Sequence, residues 1–227
     1  MTRLLKTAAA VMALVLMGGV ASMALAAPAD PASHDQHAAA AARKTSRQAF
    51  RAEMRKLWED HITWTRLYIV SAATLEGDLP DIGPTADRLF ANQADIGRAV
   101  GAFYGDQAGQ ALTDLLNEHI SLAAQAIAAA KAGEQDELQA RLDDWYANAD
   151  DIARFLAKAN HRSWPFKAMR THMRDHLDLT LEEAVARLQG RYADDIAAYD
   201  AVHHQILEMA DMLSNGIIDA FPHRFRR

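Results

Sequence analysis

Three histidines carry the first chemical signal in this sequence. Each directly follows a carboxylate, in Asp60-His61-Ile62, Glu118-His119-Ile120 and Asp175-His176-Leu177, and the intervals between them are 58 and 57 residues. Near-constant spacing of this kind predicts a repeated supersecondary unit. Imidazole can serve as metal ligand, acid or base near neutral pH. The adjacent carboxylates cannot act with it as a simple dyad, because neighbours on a helix point about 100° apart. Asp60, Glu118 and Asp175 are therefore expected to reach another helix or water.

A second phrase repeats between the histidines. Phe90-Ala91-Asn92 with Asp95-Ile96 and Arg98 returns as Tyr146-Ala147-Asn148 with Asp151-Ile152 and Arg154. In the third unit Glu208, Asp211 and Met212 keep the spacing of Asn92, Asp95 and Ile96, and His203 and His204 are extra. Residues equidistant from an antiparallel turn lie at one height, which sets His61 opposite Asn92 and His119 opposite Asn148. The same ruler, centred on Gly190, sets His176 opposite His204 and His172 opposite Glu208. Asn is a poor transition-metal ligand, so the first two units read as scaffold.

The third unit is richer. His172 and His176 are four apart, as are His204 and Glu208, so each pair projects from one helix face toward the other pair. That nitrogen and oxygen set could hold zinc, copper or iron inside a bundle. Met169, Met173, Met209 and Met212 lie nearby and read as core filler, with thioether ligation of Cu(I) as the alternative.

These residues need long helices to position them, and the sequence supplies six. Phe50, Met54, Leu57, His61, Trp64 and Tyr68 recur at three and four residues and predict a helix from about 46 to 74. Gly77, Pro80, Gly83 and Pro84 mark a loop. Further helices are expected over about 85–104, 106–131, 134–159, from Pro165 toward Gly190, and from 191 to about 220. Gly133 should end the third as a left-handed cap, and Pro165 suits a first turn. The inward set of the sixth is expected to be Ile196, Tyr199, His203, Ile206, Met209 and Leu213. Strand alternation is missing, so the fold class is all-α: six helices as three antiparallel helical hairpins packed into one bundle, elongated or closed.

Composition narrows the function classes. Residues 1–26 read as a signal peptide, with Arg3 and Lys6, an apolar run and Ala24-Leu25-Ala26. The protein is accordingly expected to be periplasmic or secreted, with a membrane contact only through this segment if it stays uncleaved. Residues 27–44 read as a flexible linker containing His34 and His37, 45–222 as the bundle domain and 223–227 as a basic tail. Cleavage would remove Arg3 and Lys6 and no acid, moving the formal charge from −6 to −8. That balance argues against a nucleic-acid partner. There is no cysteine, which rules out disulfides, thiolate metal sites and thiol catalysis. Nucleophile elbows, phosphate loops and dinucleotide fingerprints are absent. The di-iron pattern of Glu followed three later by His is absent as well.

The phrases Leu57-Trp58-Glu59-Asp60-His61-Ile62-Thr63-Trp64-Thr65-Arg66, Phe103-Tyr104-Gly105, Trp145-Tyr146-Ala147-Asn148-Ala149-Asp150 and Leu207-Glu208-Met209-Ala210-Asp211 resemble a family of small exported bacterial helical proteins of unknown function. The resemblance covers about residues 50–222. Members carry labels such as glycosyltransferase or acetylglutamate kinase, and neither fits a chain without an α/β nucleotide-binding pattern. The resemblance implies that His61, His119, His176, Glu208 and Asp211 belong to the common pattern, whereas His203 and His204 vary.

The resulting expectation is a non-catalytic exported bundle that binds a divalent metal or copper ion, or a small ligand, in its polar layer. His176 and Glu208 lead the candidate ligands, and His172, His204, His61 and His119 compete for the rest. The alternative is a structural or protein-interaction module of the cell envelope, whose buried His, Asn and Glu layer only fixes helix register.

Overall fold

The computed structural model describes residues 45–74 and 77–226. The expected signal peptide and linker lie outside these residues, as do His34 and His37. The fold is all-α, with six helices: α1 Arg47–Ala72, α2 Ile82–Tyr104, α3 Asp106–Ala132, α4 Gln135–Ala159, α5 Phe166–Leu188 and α6 Tyr192–Ala220. The expected boundaries hold to within three residues. Ser46 caps α1, its hydroxyl accepting from the Ala49 N–H. Gly133 closes α3 at φ 73°, a conformation open to glycine without steric cost.

Each helix packs on the next, and α6 packs on α1. Directions follow from the partners. Arg66 meets Asp195 while Arg51 meets Asn215 across α1 and α6, so these two run antiparallel. Gln125 and Asn148 partners define the same relation for α3 and α4. Tyr146 with Asp178 and Asp150 with Arg170 define it for α4 and α5. The helices thus form a closed up-and-down ring. The packing does not mark off three hairpins as separate units, since α4 also lies against α5 and α1 against α6.

Small residues set one of these contacts. Gly97 and Gly101 of α2 face Gly109 of α3 so closely that a Cβ on Gly109 would stand 2.7 Å from the Gly97 carbonyl oxygen and 2.9 Å from the Gly101 Cα. At one end of the ring, Phe50, Phe103 and Phe225 have ring centres 5.1–5.6 Å apart. Phe225 belongs to a two-residue strand, Phe225–Arg226, paired in parallel with Thr45–Ser46. The expected basic tail is therefore part of the domain: Phe225 is buried, because its apolar ring outweighs the charge of its neighbours.

Helix α6 turns a different face inward over its first half than the apolar pattern predicts. Ile196 is 56 % exposed and Asp195 is fully buried. The reason is an ion cluster. Arg66 of α1 lies 3.0 Å from Glu183 of α5 and pairs with Asp195 through both guanidinium nitrogens, and Arg187 stands 3.4 Å from Asp195. Two buried carboxylates need their cation, and rotating α6 to keep it exposes Ile196. Burial pushes the Glu183 carboxyl up to about 7 despite Arg66.

Candidate functional site

His61, His119 and His176 lie on α1, α3 and α5, the alternate helices of the ring, and all three are at most 3 % exposed. They meet near mid-height. His176 is central, with ring centres 5.7 Å from His61 and 6.3 Å from His119. The sequence interval of one hairpin per histidine thus returns each ring to the same level of the same interior.

The intervening helices supply amides in a matching pattern. Asn92 of α2 donates to the Leu57 carbonyl (3.0 Å), Asn148 of α4 to the Leu115 carbonyl (3.1 Å) and Gln205 of α6 to the His172 carbonyl (2.9 Å). Each acceptor is the residue four before a layer histidine. Three equivalent bonds therefore pin each return helix to the turn that carries the imidazole.

His119 Nδ1 lies 3.0 Å from Asn148 Oδ1. Asn148 spends its Nδ2 on Leu115 and on Glu118 (3.2 Å), so its oxygen faces the ring and Nδ1 donates. The lone pair is then on Nε2, at the far end of the ring from α3. Gln93 lies beside His61 and Gln205 beside His176, close enough to favour the charged ring. Neither meets Nδ1 with hydrogen-bond alignment: His61 Nδ1, His176 Nδ1, Gln93 Oε1 and Gln205 Oε1 are buried without partners among the described residues. Desolvation dominates the titration of all three. It holds His61 well below its ordinary value, His119 at about 3 and His176 at about 4, and the neighbouring rings add to the effect for His61 and His119. The layer is neutral at pH 7.

The remaining candidates do not join it. His204 and Glu208 form a surface pair 3.2 Å apart, their side chains 79 % and 59 % exposed. His172 is half-buried and enters only through its carbonyl. His203 meets Glu59 on the outside. The four-residue set of His172, His176, His204 and Glu208 is thus not assembled, because His204 and Glu208 each stand about 200° round α6 from buried Ile206, on the outer face. The ruler placed His119 with Asn148 correctly and missed Gln93 and Gln205. The missed signal was the period itself: Gln205 follows Asn148 by 57 residues, as Asn148 follows Asn92 by 56.

The adjacent carboxylates form no dyad with their own histidines and reach another helix or water, as expected, although Glu118 shares Asn148 with His119. Asp60 pairs with Lys56 (3.2 Å) and Arg88 (3.8 Å), Glu118 accepts from Asn148, and Asp175 is exposed. Among the described residues, no group of three or more His, Asp or Glu side chains is already arranged as a metal site. No described helix is long and apolar enough to cross a membrane.

The class defined by these features is a closed six-helix bundle with a buried, pseudo-threefold layer of imidazoles and amides. No protein-family model, curated protein or solved structure matches the chain.

Proposed function

We propose that the histidine layer binds one transition-metal ion, with His61, His119 and His176 as ligands, and that the protein is a non-catalytic, exported metal-binding bundle. The observation that carries this is the convergence of three neutral buried imidazoles, one of them held by an amide in the tautomer that leaves Nε2 free. Outer-sphere partners on Nδ1 orient ligating histidines in this way. Two imidazoles sharing a metal at about 2.0–2.1 Å have ring centres roughly 5–6 Å apart. Separations of 5.7 and 6.3 Å bring His176 near that range with each outer ring, and a three-ligand set also requires the His61 and His119 rings to turn toward the same point. Export rests on the sequence of residues 1–26 alone.

Register does not require the imidazoles. Asn92, Asn148 and Gln205 already fix it through backbone carbonyls. Among the described residues the layer's buried polar groups are imidazoles and amides, with no carboxylate to balance a buried dication, and desolvating an uncompensated charge is costly. Copper(I) is therefore the first expectation and zinc the second, imidazole being suited to both.

The test is metal content by plasma mass spectrometry on protein beginning near Ala27 and carrying no His tag, with titration by copper(I) and zinc. A single ion per chain, lost in His176→Ala and retained in His204→Ala and Glu208→Ala, is the expected result. Protein that refuses both ions while its circular dichroism is helical overturns the reading. The second reading, a layer that serves only helix packing, is supported by the three amide bonds that tie α2, α4 and α6 to the histidine-bearing turns. It predicts no metal and a loss of stability on layer mutation.

A further inference from the structure

Directly against the histidine layer, toward the end of the ring marked by Gly133 and Gly190, lies a cavity of about 170 Å³ among α1 to α5. Its walls begin at the layer. Trp145 packs on His119 with ring centres 5.3 Å apart, and Leu89 gives its carbonyl to Gln93. The residues one turn beyond the three histidines, Thr65, Ala123 and Thr180, all line it.

This interior is almost wholly apolar, for a structural reason. Thr65 and Thr180 turn their hydroxyls back onto the His61 and His176 carbonyls, both at 2.8 Å, and so present methyl groups to the space. The void exists because alanines stand where larger side chains would fill the bundle, among them Ala126 and Ala184, each at most 5 % exposed. A dry apolar cavity of about 150 Å³ admits benzene. The space is partly open at a rim that includes Tyr68, Leu138, Leu142 and Leu188, all partly exposed, so an apolar occupant would remove apolar wall from water.

We propose that this cavity is a binding site for one small, neutral, apolar molecule of the size of a monocyclic hydrocarbon. Charged molecules are excluded, since no described charged side chain lines the wall to receive them. The inference stands independently of metal binding, because it uses the space beyond the imidazoles and not their nitrogens.

Toluene is the probe, with benzoate as its charged counterpart, added to the metal-free full domain and followed by thermal unfolding and by indole N–H resonances. The expected result is a saturable rise in Tm with toluene and none with benzoate. The Trp145 indole resonance should shift, while that of Trp164, buried near Gly216 and Tyr104, should stay. Ala126→Leu should bind toluene at least about tenfold more weakly, by filling the space. No saturable effect of toluene, equal shifts of all indoles, or undiminished binding to a folded Ala126→Leu variant overturns the proposal. Should that variant fail to fold, the Trp145 and Trp164 resonances of the unaltered protein decide.

Discussion

His119 Nδ1 donates across 3.0 Å to Asn148 Oδ1, and that single bond joins α3 to α4 while fixing the tautomer of a buried imidazole. Asn148 also holds the Leu115 carbonyl. Asn148→Ala therefore leaves a buried donor and a weakened backbone acceptor, and should lower unfolding free energy by about 2–4 kcal/mol in urea titrations. The surface variant Glu208→Ala should stay within about 0.5 kcal/mol of the parent.

Acid should unfold the protein through its histidines. Their folded pKa values lie below the ordinary 6.5, so they contribute stability that is present above 6.5 and is lost as pH falls toward about 4 for His176 and about 3 for His119. For His176 the full loss is on the order of 3 kcal/mol. Glu183 works in the opposite sense. Its folded value is raised from 4.5 to about 7, so its contribution grows as pH falls through that window and is lost as pH rises. Unfolding free energy measured from pH 7 to 4 should fall, and fall more steeply in Glu183→Gln.

The same depressed titration protects the proposed metal site. Ligation needs neutral imidazole, and ordinary histidine sites lose it below about pH 6.5. Metal loaded at pH 7 should remain bound at pH 5 in dialysis, provided the helical circular dichroism is unchanged there. Release following an ordinary histidine titration would count against His119 and His176 as ligands.

Arg66 spans α1, α5 and α6 through Glu183 and Asp195, carboxylates that are 2 % and 0 % exposed. Arg66→Met should destabilise by about 3–5 kcal/mol at pH 8, because it strands buried charge. The loss should shrink at pH 5.5, where Glu183 takes up a proton. Chemical denaturation at the two pH values checks this.

Two glycines should respond to a different extent and for different reasons. Gly109→Ala meets the α2 backbone at 2.7 Å and should cost about 1–3 kcal/mol by forcing the helices apart. Gly83, in the first turn of α2, faces open space beyond its chain neighbours, but it precedes Pro84, whose Cδ disfavours a Cβ on a helical residue before it, so Gly83→Ala should gain nothing and cost less than about 1 kcal/mol. Thermal unfolding of both variants decides.

Much of the architecture was legible along the chain. Six helices, their ends at Gly105, Gly133 and Gly190, and the inward direction of His61, His119 and His176 follow from local periodicity and from glycine's access to positive φ. Even the partnership of His119 with Asn148 follows from counting back from a turn. Local pattern alone could not say which side of α6 faces in. Its apolar positions favoured Ile196 and His203, and the choice fell to Asp195, whose partner Arg66 sits 129 residues away on another helix. That rotation turned Gln205 inward; His204 and Glu208 face outward with or without it, since each stands about 200° round the helix from buried Ile206. Closure of the ring was likewise a tertiary matter, since only the packing of α6 on α1 brings three histidines, each more than fifty residues apart, into one interior. The cavity beside them has the same origin. It is the space left when alanines from several helices face one another, and no single stretch of sequence contains it.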